Sequence, residues 1–491
     1  MMGSSIDADV VVVGAGLAGL TAANRLLQQG RRVLVLEAGK DDRYLCNSRI
    51  ASGSFNLAHS DPTSDADTLY DAILGDTEGA ADTAQARAIA ETVGEAFKWF
   101  REEGAKFVKI TRPGKAASNW SMAPPRPAKP GFGWEGRGPD QALSALERNF
   151  LKRGGSFSFG TRARALVMDG GKVVGVKAER GGETVEFRAA AVVLADGGFQ
   201  GNPDLVRRFI SPKPESLVSR NAKTGRGDAL AMAEKIGAKL VGMNRFYGHL
   251  LVQEALTNNV LWPYPTIDTL ASSAIVVGRD GKRFIDEGSG GVAMTNVIAG
   301  FDDPLSATAI FDQAIWEGPG KLEFTPPNPH LVDCGGTLTS ANTLAELAAK
   351  LGLPADALVA TVEDYNRAVA AGTPDRLSPP RAPGRMFGVL RSSSTRTQIA
   401  PIAQAPFHAI KLAPGLTYTM GGIAIDGEAR ALDAAGRPIS GLYAAGACTG
   451  GLEGGPMDGY VGGLCKALSL GFIAARTISA QEAAQSHRNV G

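Results

Sequence analysis

The sequence predicts an α/β chain: a parallel, helix-flanked sheet of Rossmann type built from two separated stretches, with an α+β domain inserted between them. Three observations predict it. An apolar run ending in four valines, Val10 to Val13, leads directly into Gly14-Ala15-Gly16-Leu17-Ala18-Gly19. Two further strand-like runs, Ala190 to Ala195 and Leu442 to Ala445, break into Asp196-Gly197-Gly198 and Gly446-Ala447-Cys448. Between them, residues 233–385 change texture, with amphipathic helices in place of buried-strand runs.

The first strand, residues 8–13, carries four consecutive valines after Asp9, the apolar run of a strand covered on both faces. A helical pattern follows to about Gln29, Gly30 stops it, and a second strand, Arg32 to Leu36, ends at Glu37. This is a complete βαβ unit, and its carboxylate falls about 20 residues past the third glycine, as a dinucleotide site requires. Gly14 permits the tight turn, Gly16 lets a pyrophosphate approach the backbone, and Gly19 lets helix and strand pack closely, with the helix N-terminus facing the phosphates. Glu37 would accept ribose hydroxyls, which argues against a 2′-phosphate. In the inserted stretch, Ala274 to Val277 reads as a strand and Arg279-Asp280-Gly281 as a turn. Leu344 to Lys350 and Ala355 to Ala371 read as helices separated by Gly352-Leu353-Pro354. The Pro/Arg-rich piece Ser378 to Arg385 reads as the return linker, so the domains are expected at 1–232, 233–385 and 386–491.

Composition narrows the function classes. Fifty-one basic against 50 acidic residues leave a net charge of +1, no field for nucleic acid or an anionic membrane. The polar opening and short apolar runs give neither a signal-peptide core nor a membrane span, which points to the cytoplasm. Cys46, Cys334, Cys448 and Cys465 are scattered, so neither a metal site nor a disulfide framework is expected. Glycine supplies 62 of 491 residues, well above the roughly 7% of average usage.

Taken together, these motifs resemble the flavoprotein family that includes fumarate reductases, succinate dehydrogenase flavoproteins, 3-ketosteroid dehydrogenases and tricarballylate dehydrogenase. The resemblance covers nearly the whole chain. It runs through the N-terminal fingerprint, Asn47-Ser48-Arg49-Ile50-Ala51-Ser52-Gly53, Val193-Leu194-Ala195-Asp196-Gly197-Gly198-Phe199 and Thr224-Gly225-Arg226-Gly227-Asp228. It continues in Gly281-Lys282-Arg283-Phe284-Ile285-Asp286-Glu287, Thr419-Met420-Gly421-Gly422 and Gly441-Leu442-Tyr443-Ala444-Ala445-Gly446. It implies non-covalent FAD, a domain capping the isoalloxazine, and hydride transfer between flavin N5 and a substrate carbon near a carbonyl or carboxylate. FAD contacts are then expected at Gly14, Ala15, Gly16, Ala18, Gly19, Glu37 and Ala38, and in the following loop at Asn47, Ser48, Ala51, Ser52 and Gly53. Later segments add Ala195, Asp196, Gly197, Asp228, Gly421, Gly446, Ala447, Gly462, Gly463 and Leu464.

Departures from the pattern carry more information. Fumarate reductases place a proton-donating arginine four residues after the acid of the KRF-x-x-E motif; counted from Glu287, that place holds Gly291. A second, dicarboxylate-clamping arginine falls near Tyr460, and the histidine pair usually preceding TMGG is Thr417-Tyr418. Without such clamps the bidentate recognition of two carboxylates is lost. The flavin-attaching histidine of covalent members falls at Asn47, the glutamate after the last strand is Ala447, and Leu45-Cys46 replaces a Gly-Gly pair, with Cys46 read as a buried structural thiol.

What remains for chemistry is Tyr247, His249, Tyr418 and Tyr460. In ketosteroid dehydrogenases one tyrosine abstracts the α-proton while another, with a backbone N–H, polarises the ketone, and the resemblance gives Tyr460 the second role. A phenol, with pKa about 10, donates well to an enolate but needs tuning to act as a base. Arg245 and Arg396 are the cationic candidates for a substrate with one carboxylate. His59 and His408 have no motif around them and read as structural, Asp228 and Glu287 as loop-ordering carboxylates, and Asp196 as a turn residue. The expected activity is an FAD-dependent dehydrogenase that introduces a C=C bond α,β to the carbonyl of a ketone or oxo-acid, with a separate electron acceptor such as oxygen, a quinone or a dye. Competing readings are the reverse reduction of an enoate and a flavin-binding subunit without activity.

Overall fold

Buried valines place the strand Ile6–Val13 in the middle of an eight-stranded sheet. The computed structural model describes residues 6–111, 118–125, 133–261, 266–321, 329–383, 399–456 and 458–488. Ile6–Val13 pairs in parallel with Val33–Leu36 on one side and Glu183–Leu194 on the other. Ser156–Ser158 and Pro438–Ala444 extend the parallel order outward, and the register Leu442↔Val192 joins the last stretch of the chain to the first. An antiparallel meander, Thr161–Asp169 and Lys172–Arg180, runs into Glu183–Leu194. Helices Leu17–Gln28 and Gly463–Arg488 pack on one another over the sheet. The parallel strands finish at one edge, where the chain turns into Gly14, Glu37, Ala195 and Ala445-Gly446. Ligands of open α/β sheets bind at this carboxyl edge.

A second core forms around the long strand Phe407–Thr419, which pairs antiparallel with Phe246–Val252, Thr308–Asp312 and Thr339–Ala341 and in parallel with Val218–Ser219. Ile275–Val277 adds an outer strand. Helices Leu344–Leu351 and Ala355–Ala370 end within a residue of their expected limits, with Gly352 left-handed (φ 71°) between them. This is the inserted capping domain. Its hydrophobic cluster also takes in Val218, Ile402, Ala409, Ile410, Leu412 and Ala413, so it reaches past residues 233–385 at both ends. The cause is one continuous strand: Ala413 packs in the second core while Leu416 packs in the first. Gly384 and Arg385 of the expected linker lie outside the described residues.

The segment Gly281 to Glu287 serves the capping domain. Glu287 is fully buried; its carboxylate accepts from Val276 N–H at 2.9 Å and from Arg283 at 2.6 Å, with Arg381 Nε 3.7 Å away. Arg283 in turn donates to Pro379 O, and Arg381 to Ser272 O, so the acid neutralises two buried guanidinium groups that hold the returning chain. Removing one partner of such a cluster leaves buried charge uncompensated, at a cost of about 3–5 kcal/mol. Replacing Glu287 with Ala should therefore lower unfolding free energy by roughly that amount, measured by chemical denaturation; a loss near the roughly 0.5 kcal/mol of a surface substitution would remove the cluster from the stability of the fold.

Candidate functional site

At the carboxyl edge of the parallel sheet, under the second domain, lies a cavity of about 760 Å³, within the roughly 300–1,000 Å³ of small-molecule sites. Glycine shapes its floor. Gly14 has φ +96° and a Cβ there would meet Ala195 O at 2.7 Å, whereas a Cβ on Gly16 would meet only Ser48 Oγ, at 3.5 Å, so the space beside Gly16 is left for a ligand. Helix Leu17–Gln28 begins there without a side-chain cap, and Leu17 N–H donates to Ser48 Oγ at 3.2 Å. The first-turn donors beyond Leu17, with the helix dipole, suit a pyrophosphate. The Glu37 carboxylate accepts from Ala15 N–H at 2.9 Å and Gly39 N–H at 2.7 Å, which fixes it at the turn, and burial pushes its pKa up.

Ala38, Ser48, Ala51, Ser52, Gly197, Ala447, Gly463 and Leu464 line the same cavity. Asn47 lines it while both ends of its amide are engaged: Nδ2 donates to Thr417 O at 3.0 Å and Oδ1 accepts from Ala222 N–H at 2.8 Å. Cys46 is on the wall too, and burial pushes its thiol up to about 12, so it is no thiolate. Asp196 does more than hold a turn. Its Oδ2 accepts from Ala229 N–H at 2.9 Å, while its buried Oδ1 has no hydrogen-bond partner. Burial, with Asp228 adding like charge, pushes Asp196 up to about 7. Asp228, also on the wall, is held by Arg162 at 2.7 Å. A glycine cradle, an uncapped helix and an orphaned carboxylate oxygen together fit a dinucleotide.

Four expected contacts lie off the wall. Gly19 is needed because a Cβ would meet Gly14 O at 2.0 Å, Gly421 because it would meet Gly242 O at 2.3 Å, and Gly462 because it would meet Asn56 O at 2.3 Å. Gly53 has φ +87° beside Met122. At Gly19, Gly421 and Gly462 the absent side chain admits a close backbone approach, and at Gly53 a positive φ.

All four expected side chains, Tyr247, His249, Tyr418 and Tyr460, reach the far end of the cavity. Pairing between Phe246–Val252 and Phe407–Thr419 sets Tyr247 opposite Tyr418, with a bulge after Tyr247. Gly248 must be glycine, since a Cβ would meet Gly415 O at 2.2 Å. Tyr247 stacks on Tyr460 with ring centroids 4.0 Å apart and planes at 18°. His249 Nε2 is 3.0 Å from Tyr247 Oη, and its Nδ1 is bonded to Asp268 Oδ2, whose Oδ1 accepts from Leu250 N–H at 2.8 Å. Burial lowers the His249 pKa, so the imidazole is neutral near pH 7. Tyr418 donates to Glu453 at 2.6 Å, and Lys466 donates to the other Glu453 oxygen at 3.2 Å. Burial and that carboxylate push the Tyr418 phenol well up. Tyr460 Oη accepts from Gly463 N–H at 3.3 Å.

The sequence did not reveal Asp268, Glu453 and Lys466, although each is a lone charge in an apolar or glycine-rich stretch, a readable signal of burial. Arg220 lacks any such signal; it lines the cavity and donates to Thr417 Oγ1 at 2.9 Å. Arg245 is instead tied to Asp458 at 2.6 Å, and Arg396 lies outside the described residues. His59, read as structural, is on the wall 5.8 Å from the Tyr460 ring and 3.7 Å from Asp76, whereas His408 bonds Ser340 and Gln313 within the capping domain. At Gly291, a Cβ would meet Asp268 Oδ1 at 2.1 Å. Among the described residues no group of His, Cys, Asp and Glu could hold a metal ion, and no helix is long and apolar enough to cross a membrane.

The family described as FAD binding domain matches residues 9–460. The chain is 30% identical to an NADH:fumarate oxidoreductase of Klebsiella pneumoniae (strain 342), over 91% of this chain and 45% of that protein. It is 32% identical to a 4-oxocyclohexanecarboxylate 2-dehydrogenase of Sinomonas cyclohexanicum, over 64% of this chain and 55% of that protein. The chain thus spans about half the length of these relatives. In fold it is similar to the 3-ketosteroid Δ1-dehydrogenase of Sterolibacterium denitrificans, with a TM-score of 0.74 at 21% identity, covering 97% of this chain and 100% of that one.

Asp196 gives a sign-definite pH test. Its pKa rises from 3.8 to about 7 on folding, so its contribution to stability is full below the lower value and is lost as pH rises through the upper one. In the flavin-free protein, Asp196→Asn should shift the melting temperature upward relative to the unsubstituted protein at about pH 8 more than at about pH 5; equal shifts at both would show that Asp196 titrates normally.

Proposed function

The chain belongs to the FAD-binding-domain family of flavoproteins, and from that premise we propose that it is a dehydrogenase introducing a C=C bond α,β to the carbonyl of a ketone or oxo-acid. The carrying observation is the Tyr247–Tyr460 stack, 4.0 Å between centroids, at the end of a glycine-cradled dinucleotide cavity. Bound FAD would supply the acceptor for the β-hydride, and a separate acceptor would take its electrons afterwards. The residues of the chain handle the substrate. The Gly463 amide donates to Tyr460 Oη at 3.3 Å and holds the phenol in place, and the Tyr460 O–H would donate to the substrate carbonyl, where negative charge develops as the α-proton leaves. Tyr418 has its proton committed to Glu453 and serves as a wall.

Arg220 is the cation on the cavity wall beside His249 and could meet a substrate carboxylate, and the likeness to a 4-oxocyclohexanecarboxylate 2-dehydrogenase supports a cyclic oxo-acid. Reduction of an enoate is the same chemistry reversed, and the likeness to an NADH:fumarate oxidoreductase supports that alternative. Its dicarboxylate form is disfavoured, because Gly291 stands where the resemblance to fumarate reductases calls for the proton-donating arginine.

In FAD-loaded protein, anaerobic 4-oxocyclohexanecarboxylate or related cyclic ketones should bleach the flavin absorbance. Rapid reoxidation of the reduced protein by unsaturated acids, with no bleaching by any saturated ketone, would reverse the assigned direction. Tyr460→Phe should slow bleaching about 100- to 1000-fold, the usual effect of losing one oxyanion donor; an unchanged rate removes Tyr460 from the chemistry.

A further inference from the structure

We propose that Asp268, acting through His249, makes Tyr247 the general base that takes the substrate's α-proton. The inference rests on the dehydrogenase reading above and extends it to the identity of the base. Asp268, His249 and Tyr247 form one chain of hydrogen bonds, buried at Asp268 and His249 and ending at the half-buried Tyr247 on the cavity wall. The Asp268 carboxylate only accepts, so it fixes the proton of His249 on Nδ1 and leaves Nε2 as the acceptor facing Tyr247 Oη at 3.0 Å. Asp268 is itself fixed by Leu250 N–H at 2.8 Å.

Other candidates are occupied. Tyr418 donates its hydrogen bond to Glu453, a carboxylate that opposes ionisation of the phenol, and Tyr460 is placed as the carbonyl donor. The groups around the relay are compatible with it. Arg220 faces His249 and opposes its protonation, Asp268 favours it, and the rings of Tyr418 and Tyr460 face Tyr247. Helix Gly291–Ala299, which packs on the strand bearing Tyr247 and His249, has no titratable residue in its sequence.

The step balances without a co-reactant. The Cα–H bond breaks and its electron pair stays on the substrate as an enolate; the proton passes to Tyr247 Oη as the original Tyr247 proton passes to His249 Nε2. The resulting imidazolium faces the Asp268 carboxylate. Asp268 and His249 are thus positioning residues, and Tyr247 is the catalytic one. In the reductive direction the same groups would return the proton.

Exchange of α-hydrogen for deuterium isolates this step from hydride transfer. FAD-loaded protein is reduced beforehand and incubated anaerobically in heavy water with 4-oxocyclohexanecarboxylate or a 3-oxosteroid, and exchange is followed by proton NMR. The unsubstituted protein should exchange the α-positions of at least one probe. Asp268→Asn should slow exchange and kcat together on the order of 100-fold, the scale of general-base catalysis, with KM and flavin content retained. Its acidic pH limb should move to lower pH, since the lost carboxylate no longer favours the imidazolium. Tyr247→Phe, which leaves the His249–Asp268 pair intact, should abolish exchange and decides the matter if Asp268→Asn folds poorly. Exchange within about twofold of the unsubstituted rate in both variants, well inside the general-base range, overturns the relay while the dehydrogenase reading stands. An unsubstituted protein that neither exchanges nor is reduced by either probe overturns that reading and the relay with it.

Discussion

The strand Phe407–Thr419 has one end in each hydrophobic core, and the geometry of the cavity follows from that. Its first half builds the capping sheet with Thr308–Asp312 and Thr339–Ala341. Its last residues pass to the dinucleotide domain, where Thr419 Oγ1 accepts from Phe199 N–H at 3.1 Å, just beyond the turn at Asp196. Because Phe246–Val252 is registered on this strand, Tyr247 and His249 are fixed relative to Tyr418 and, through Thr419, to the carboxyl edge of the parallel sheet. Backbone ladders of this kind place side chains more narrowly than flexible loops do.

Two buried polar networks then divide the tyrosines. Asp268 and His249 give Tyr247 an acceptor for its proton, whereas Glu453, neutralised by Lys466, accepts the hydrogen bond of Tyr418, keeps that phenol protonated and holds its ring as a wall. A low-dielectric interior amplifies this difference, since a buried phenol can lose its proton only where a neutral acceptor or a counter-charge is waiting. Tyr460 lies between the two, stacked on Tyr247 and steadied by the Gly463 amide.

Local pattern made part of this arrangement readable. The βαβ unit, Glu37 at the turn and the helices Leu344–Leu351 and Ala355–Ala370 follow from apolar periodicity and stop signals. The convergence of Tyr247, His249, Tyr418 and Tyr460 on one cavity followed from the resemblance, not from their spacing. Long-range geometry was not legible. Asp268 is an isolated acid at the start of the helix Asp268–Ser273, and only the docking of that helix on Phe246–Val252, where Ile267 N–H donates to Leu250 O at 2.8 Å, brings it to His249. His59 meets Tyr460 through a loop that carries no motif. The reach of the second core to Val218 and Ala413 left no mark in the sequence, because a strand that serves two cores shows no compositional break. The glycine excess has several sources: left-handed turns such as Gly14 and Gly352, open space beside Gly16, and backbone-to-backbone approach at Gly19, Gly421 and Gly462.

Gly291 and Asp268 form a mutually dependent pair. With the Asp268 carboxylate in its present place, any side chain at 291 would overlap it, since even a Cβ comes to 2.1 Å of Oδ1. An arginine there would have to displace the carboxylate, and would also bring a cation that competes with His249 for it. The chain thus has room for one of two proton devices at this spot, a guanidinium or a carboxylate-held imidazole. A guanidinium remains protonated at any accessible pH, whereas a neutral imidazole can receive a proton and return it. The absence of a side chain at Gly291 is therefore a condition for the Asp268–His249 pair, and through it for a tyrosine that can act as a base.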